Sequence, residues 1–162
     1  MLIIIMGLPG TGKTTFARAL AKYTGAIHLN SDHIRTMMDK RGAYAPEDKK
    51  AVYDELLHQT EICLQQGRDV IVDSTFYMKS IRTPYYLMAE KYGLAIKVIM
   101  LMAGEATLKK RLAQPRPDSE ADFNVYKKIK AAYEPPEVPY LELWSDQMSM
   151  DEMLLTTTLA LE

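Results

Sequence analysis

The clearest chemistry in this chain lies in Gly7-Leu8-Pro9-Gly10-Thr11-Gly12-Lys13-Thr14, which fits G-x-x-x-x-G-K-[ST], the phosphate-binding P-loop or Walker A motif. Glycine lets the backbone wrap phosphate oxygens with no Cβ in the way, and the free amides of a following helix point at the anion. In such a loop Lys13 reaches the β- and γ-phosphates and the Thr14 hydroxyl ligates Mg²⁺. Gly7, Gly10, Thr11, Gly12, Lys13, Thr14 and Thr15 are therefore the expected nucleotide-binding residues, with Lys13 also catalytic. A flexible turn with a surface lysine would require neither this spacing nor the strand and helix patterns that flank it.

Further residues could act around those phosphates. Asp32 and Arg35 are spaced to share one face of a helix. The turn that carries them follows a strand whose carboxyl end lies on the side of the sheet where the P-loop sits and where ligands bind in open α/β folds. The plainer alternative is that Ser31 or Asp32 only caps the helix and Arg35 is a solvated charge. Val70-Ile71-Val72-Asp73 is an apolar run ending in an aspartate, the pattern that delivers a carboxylate to Mg²⁺ or its water shell, so Thr14 and Asp73 are the expected metal-binding pair. Arg111 lies just before, and Arg116 within, the break Gln114-Pro115-Arg116-Pro117-Asp118, where a lid around residues 111–122 would gather cations on the γ-phosphate and exclude water. His28 and His33 have no second histidine or cysteine at ligand spacing, which argues against metal binding by either.

The elements that must position these residues follow from pattern. Leu2 to Met6 reads as a strand entering the loop, and Thr15 to Lys22 as a helix leaving it, stopped by Gly25. Ala26 to Leu29 is a short strand; Asn30 to Arg35 feeds a helix expected to end at Gly42. Pro46-Glu47-Asp48 opens a long helix to about Gln66, with proline and acidic residues suited to a helix start. After the 70–73 strand, Ser80 is the expected cap of a helix to Tyr92 with Pro84 in its first turn, and Leu94 to Met102 is a strand. A helix over 105–113, a second to Pro135-Pro136 whose start Ser119 and Asp122 mark by their cap spacing, a strand over 140–144 and a final helix behind a Ser149/Glu152 capping box complete the chain. Strands alternating with helices imply an α/β fold of three layers, with a parallel sheet of about five strands, right-handed crossovers and a small helical lid.

The 162 residues, 48% of them hydrophobic, suit one domain over 1–162 able to bury roughly 70% of its unfolded surface. A net charge of −1 argues against a broad electrostatic grip on duplex nucleic acid, though not against a single nucleotide or terminal phosphate. Cys63 has no partner for an internal disulfide and falls on an apolar helical stripe, as a small buried hydrophobe would. No uncharged apolar run approaches membrane-spanning length and the start has no signal-peptide pattern, so a cytoplasmic protein with no membrane partner is expected. Oligomeric state is not legible.

Taken together, the P-loop, Asn30 to Arg35, Val70 to Thr75 and the region from Leu112 to Pro136 resemble the small P-loop kinases, which include polynucleotide 5′-kinases, zeta-toxin kinases, adenylylsulfate kinases and AAA-type kinases. The resemblance runs from Leu2 to about Ser145. It implies that Asp32 is the general base, that Arg35 binds the acceptor with Asp32 and Thr75 beside it, and that Arg116, or Arg111 in its place, is the lid arginine. Tyr44-Ala45-Pro46-Glu47-Asp48 and Tyr133-Glu134-Pro135-Pro136-Glu137 resemble adenylylsulfate kinases in particular, whereas Asp73-Ser74-Thr75 departs from them.

Those readings lead to an ATP- and Mg²⁺-dependent phosphotransferase acting on a hydroxyl of a nucleotide, a nucleic-acid 5′ end or a small molecule. An adenylylsulfate-kinase-like enzyme and a nucleotide-binding regulatory ATPase are the alternatives. Absence of an Asn-Lys-x-Asp stretch and of a Leu-Ser-Gly-Gly-Gln signature separates the chain from guanine-reading switches and transporter ATPases.

Overall fold

The computed structural model describes residues 1–117 and 119–161. Five strands form one parallel sheet: β1 (Leu2–Met6), β2 (Ile27–Asn30), β3 (Val70–Asp73), β4 (Ile96–Met102) and β5 (Leu141–Trp144), in the order β2-β3-β1-β4-β5. The first strand lies in the middle, with Ile4 level with Val72 on one side and Val98 on the other. The chain therefore leaves β1 toward one edge and returns to build the other, which opens a crevice beyond the carboxyl end of β1.

Period-two patterning explains the layers. Leu2, Ile4 and Met6 face one side with Val70, Val72, Val98 and Met100, covered by α2 (Ser31–Met37), α3 (Pro46–Gln65) and α4 (Lys79–Lys91) through Ile34, Val52, Leu56, Leu64, Tyr85 and Met88. Ile3 and Ile5 face the other with Ile71, Ile99, Leu101 and Leu143, covered by α1 (Lys13–Thr24) and α7 (Met150–Leu161) through Phe16, Ala17, Leu20 and Met153. A β1 buried on both faces is why its sequence is a continuous apolar run. A smaller cluster of Ala103, Leu108, Leu112 and Tyr126 joins α5 (Glu105–Leu112) and α6 (Phe123–Ala131) to Leu8 of the phosphate loop. The helical hairpin expected over the site thus rests on that loop through its own core.

Several local expectations are corrected. The helix after β2 stops at Met37 rather than running to Gly42: Asp39 turns left-handed (φ 55°), and the Lys40 amide folds back to the Arg35 carbonyl at 2.9 Å. Its cap is Asn30, whose side chain accepts from the His33 amide at 2.9 Å, so neither Ser31 nor Asp32 serves as the cap. Ser80 does not cap α4, which begins at Lys79 without a side-chain cap; the Lys79 amide instead donates to Glu134 at 2.5 Å. Pro84 lies inside that helix rather than in its first turn. The strand expected from Leu94 begins at Ile96. Asp122, not Ser119, caps α6, accepting from the Val125 amide at 2.9 Å. The Ser149/Glu152 box forms as expected, with both reciprocal bonds present. Cys63 is only partly buried, packed against the sheet-face core.

Candidate active site

Residues 7–12 turn from β1 into α1. A Cβ on Gly7 would stand 2.3 Å from the Leu101 carbonyl oxygen, and Gly12 has φ 89° at the helix start, so both positions exclude an ordinary side chain. Helix α1 opens with no side-chain cap and no acidic residue in its first turn. Its first amides are left for an anion, as a phosphate loop requires. The Thr11 hydroxyl turns inward to donate to the Leu8 carbonyl at 2.9 Å, and Lys13 Nζ reaches the same carbonyl at 3.0 Å. Thr11 shapes the loop from within while Thr15 is exposed on the first turn of α1.

The neighbouring strands bring up the polar residues. Asp73, at the end of β3, is fully buried and accepts from Asn30 Nδ2 at 2.8 Å; His28 Nε2 lies 3.2 Å from the same carboxylate oxygen. Asn30 Nδ2 also donates to the Thr14 hydroxyl at 3.2 Å. Asp73 and Thr14 are thereby joined through one amide, while the other Asp73 oxygen, Oδ1, is buried with no hydrogen-bond partner among the described residues. Such a carboxylate oxygen lacks its usual compensation and suits a cation or its water shell. Among the described residues no group of three or more His, Cys, Asp or Glu could hold a metal ion.

Asp32 lies in the first turn of α2 at the wall of a cavity of about 230 Å³. Burial pushes its carboxyl above the ordinary range, against the opposing pull of Lys13, Arg35 and Arg116. Burial likewise holds Lys13 below the ordinary lysine range, opposed by Asp73 and Asp32. Lys13 and Asp32 therefore each lie within electrostatic reach of Asp73 and Arg116 as well as of one another. The same cavity is lined by Arg18, Asn30, Arg35, Arg41, Ser119 and Glu120, so that the lid segment forms part of its wall.

Arg35 is not a solvated charge. It is only 7% exposed, donates to the Ala43 carbonyl at 2.6 Å and lies 4.5 Å from the centre of the Tyr44 ring, while its Nε has no partner among the described residues. The two arginines expected on the lid differ. Arg111 is committed to the loop, donating to the Gly10 carbonyl at 3.1 Å and the Ser145 hydroxyl at 3.0 Å. Arg116 donates to the Ala121 carbonyl at 2.7 Å, and its charge acts on both Lys13 and Asp32. Asp118, within the same break, lies outside the described residues. Thr75 lies beside the loop: its carbonyl accepts from the Gly7 amide at 3.4 Å, and its hydroxyl is 3.4 Å from the Tyr53 hydroxyl.

Sequence reasoning did not single out Arg18, Arg41 or Glu120. Arg18 follows Thr14 by one helical turn, a spacing that could have found it. Arg41 and Glu120 come from separate loops with no periodic signal, and only folding brings them together.

The AAA domain family matches residues 2–136. An uncharacterised protein of Mycobacterium tuberculosis is 32% identical over 87 residues, covering 46% of this chain and 18% of that protein's length. An adenylate kinase of Malacoplasma penetrans is 33% identical over 88 residues, covering 51% of this chain and 41% of the kinase. The chain thus spans less than half the length of either curated relative. In three dimensions the APS kinase of Mycobacterium tuberculosis, solved in complex with AMPPNP and APS, superposes with a TM-score of 0.74 at 18% identity, covering 99% of this chain and 96% of that one. The fold is that of the P-loop kinases.

Proposed function

The chain belongs to the AAA domain family, and from that premise we propose that it is an ATP- and Mg²⁺-dependent phosphotransferase that moves the γ-phosphate to a hydroxyl group. The observation that carries this reading is Asp32, a partly buried carboxyl at the cavity wall whose charge is felt by Lys13 of the phosphate loop. A switch or motor ATPase has no need of a base beside a second cavity; a kinase does.

In this reading Asp32 accepts the proton of the acceptor hydroxyl as its oxygen forms a bond to the γ-phosphorus and the bond to the ADP oxygen breaks. Lys13 and the α1 amides hold the phosphates, and Arg116 closes from the lid onto the charge that develops. Mg²⁺ would be held through Thr14 and Asp73 and would offset phosphate charge. Arg35 positions the acceptor, with Thr75 at the edge of the site and Arg111 bracing the loop. The proposal treats residues 1–162 as one cytoplasmic domain with its lid around 111–122.

Both the relative solved with AMPPNP and APS and the adenylate kinase relative support a nucleoside triphosphate donor. The acceptor class is a nucleotide, a nucleic-acid 5′ end or another small molecule. Incubation with γ-labelled ATP and a panel of hydroxyl acceptors, including adenylylsulfate and a 5′-hydroxyl oligonucleotide, tests it. Label carried on an acceptor is expected. Label released only as inorganic phosphate across the panel would replace the kinase with a regulatory ATPase.

A further inference from the structure

The cavity beside Asp32 is closed on one side by a contact between two segments far apart in sequence. Glu120, on the lid, accepts from the Gly42 amide at 2.9 Å and from the Tyr44 hydroxyl at 2.6 Å, and its other oxygen lies 3.6 Å from Arg41 Nε. These three donors sit within four residues of the loop between α2 and α3 and converge on one carboxylate. A backbone amide, a phenol and a guanidinium aimed at a common point make an anion cradle.

The surroundings fit an anion that comes from outside. The cavity lining holds Arg18, Arg35 and Arg41 against Asp32 and Glu120, so with Glu120 withdrawn three cations face the single carboxylate of Asp32. Directly beneath the cradle, Arg35 packs under the Tyr44 ring and is more than nine-tenths buried, with Nε unpartnered. A buried guanidinium with an unused donor needs a further acceptor, and no described protein group supplies one. Glu120 itself is exposed, on a short lid segment anchored by the Arg116–Ser119 bridge.

We propose that Glu120 is a built-in stand-in for the acceptor: the cradle of Arg41, Gly42 and Tyr44 binds a phosphate or sulfate group on the substrate, which displaces the Glu120 carboxylate. This rests on the phosphotransferase reading for its purpose and narrows the acceptor to a compound carrying both a hydroxyl and an oxyanion. Displacement makes Glu120 a determinant of specificity. A neutral alcohol cannot take over the three donors, so it meets an occupied cradle, whereas a tetrahedral oxyanion on the substrate offers three terminal oxygens against the two of a carboxylate, and a terminal phosphate adds further charge.

Inorganic sulfate, titrated while backbone amides are followed by ¹H–¹⁵N NMR, tests this without turnover. The Gly42 amide reports the cradle and the Gly10 and Gly12 amides report the phosphate loop, which also takes sulfate. In Glu120→Gln, half-saturation read at Gly42 is expected about tenfold below wild type, because a competing charge is removed. In the Glu120→Gln/Tyr44→Phe double variant that gain is expected to be lost, with the Gly10 and Gly12 response unchanged. A Gly42 response that is absent, or no stronger in Glu120→Gln than in wild type, overturns the cradle and leaves Glu120 as a fixed tie between lid and loop. A silent phosphate loop would instead count against the kinase reading.

Discussion

Asn30 donates to Asp73 Oδ2 at 2.8 Å and leaves Oδ1 of the same buried carboxylate without a partner among the described residues. The amide orients the acid and spends only one of its two oxygens. Because the same Nδ2 reaches the Thr14 hydroxyl, it also sets the distance between the two groups proposed to hold Mg²⁺. Asp73→Asn removes the charge and adds a second amide in a space built for an acceptor. The Mg²⁺ concentration for half-maximal ATP turnover should rise about 10- to 100-fold, as when a metal site loses an orienting partner. An unchanged Mg²⁺ titration would take Asp73 out of the metal site.

Lys13→Ala should reduce phosphoryl transfer by about two to four orders of magnitude. Burial disfavours the lysine's charge and an arriving phosphate favours it, so the side chain should interact more strongly with nucleotide than with its resting Leu8 carbonyl partner. Single-turnover rates with saturating ATP measure the loss directly. Near-normal rates would remove the loop from the chemistry.

Asp32→Asn separates base from scaffold cleanly, because the helix cap is Asn30 and stays in place. Transfer should fall about 10²- to 10⁴-fold. Stability should move the other way. The folded state raises the carboxyl above its unfolded value, so it binds the proton more tightly than the unfolded chain. Stability therefore falls as pH rises from the unfolded to the folded pKa, and above that window the penalty is fully present. The asparagine variant should melt at or above wild type at neutral pH, with the difference shrinking in acid. A fully active variant would leave the reaction without an assigned base.

Arg82 carries a structural load away from the chemistry. Fully buried, it donates to the carbonyls of Phe76, Glu134 and Pro135 and pairs with Glu137 at 3.1 Å, tying α4 to the strap that follows the lid helices. Truncation to alanine leaves three carbonyls unsatisfied and should cost about 3–5 kcal/mol of unfolding free energy. Urea unfolding followed by circular dichroism reads it; a loss under about 1 kcal/mol would show that water replaces the side chain there.

ATP should be preferred over GTP only moderately. The chain has no guanine-reading stretch. Competition binding against labelled ATP measures the ratio, and a strong preference for GTP would contradict the donor assignment.

Which parts of this protein are legible without coordinates follows from the range of the forces involved. The phosphate loop, the buried strands before and after it, and Asp73 at the end of its apolar run are local in sequence. Their residue types are dictated by backbone geometry and burial within a few positions, so pattern alone locates them. The five-strand parallel sheet follows from alternation of such segments. Helix ends were less legible: the early stop at Met37 depends on a left-handed Asp39, and the start of α4 is satisfied by Glu134 from a distant strap. Beyond Asp32 and Arg35, the lining of the cavity beside them was decided by tertiary structure. Arg18, Arg41 and Glu120 come from a helix and two separate loops and meet at one cavity, and Arg111 and Arg116, alike in sequence, part company only when one binds the Gly10 carbonyl. A site assembled across the fold leaves no spacing for a sequence to display, because what selects its residues is distance in space, set by how α2, the lid and the phosphate loop pack.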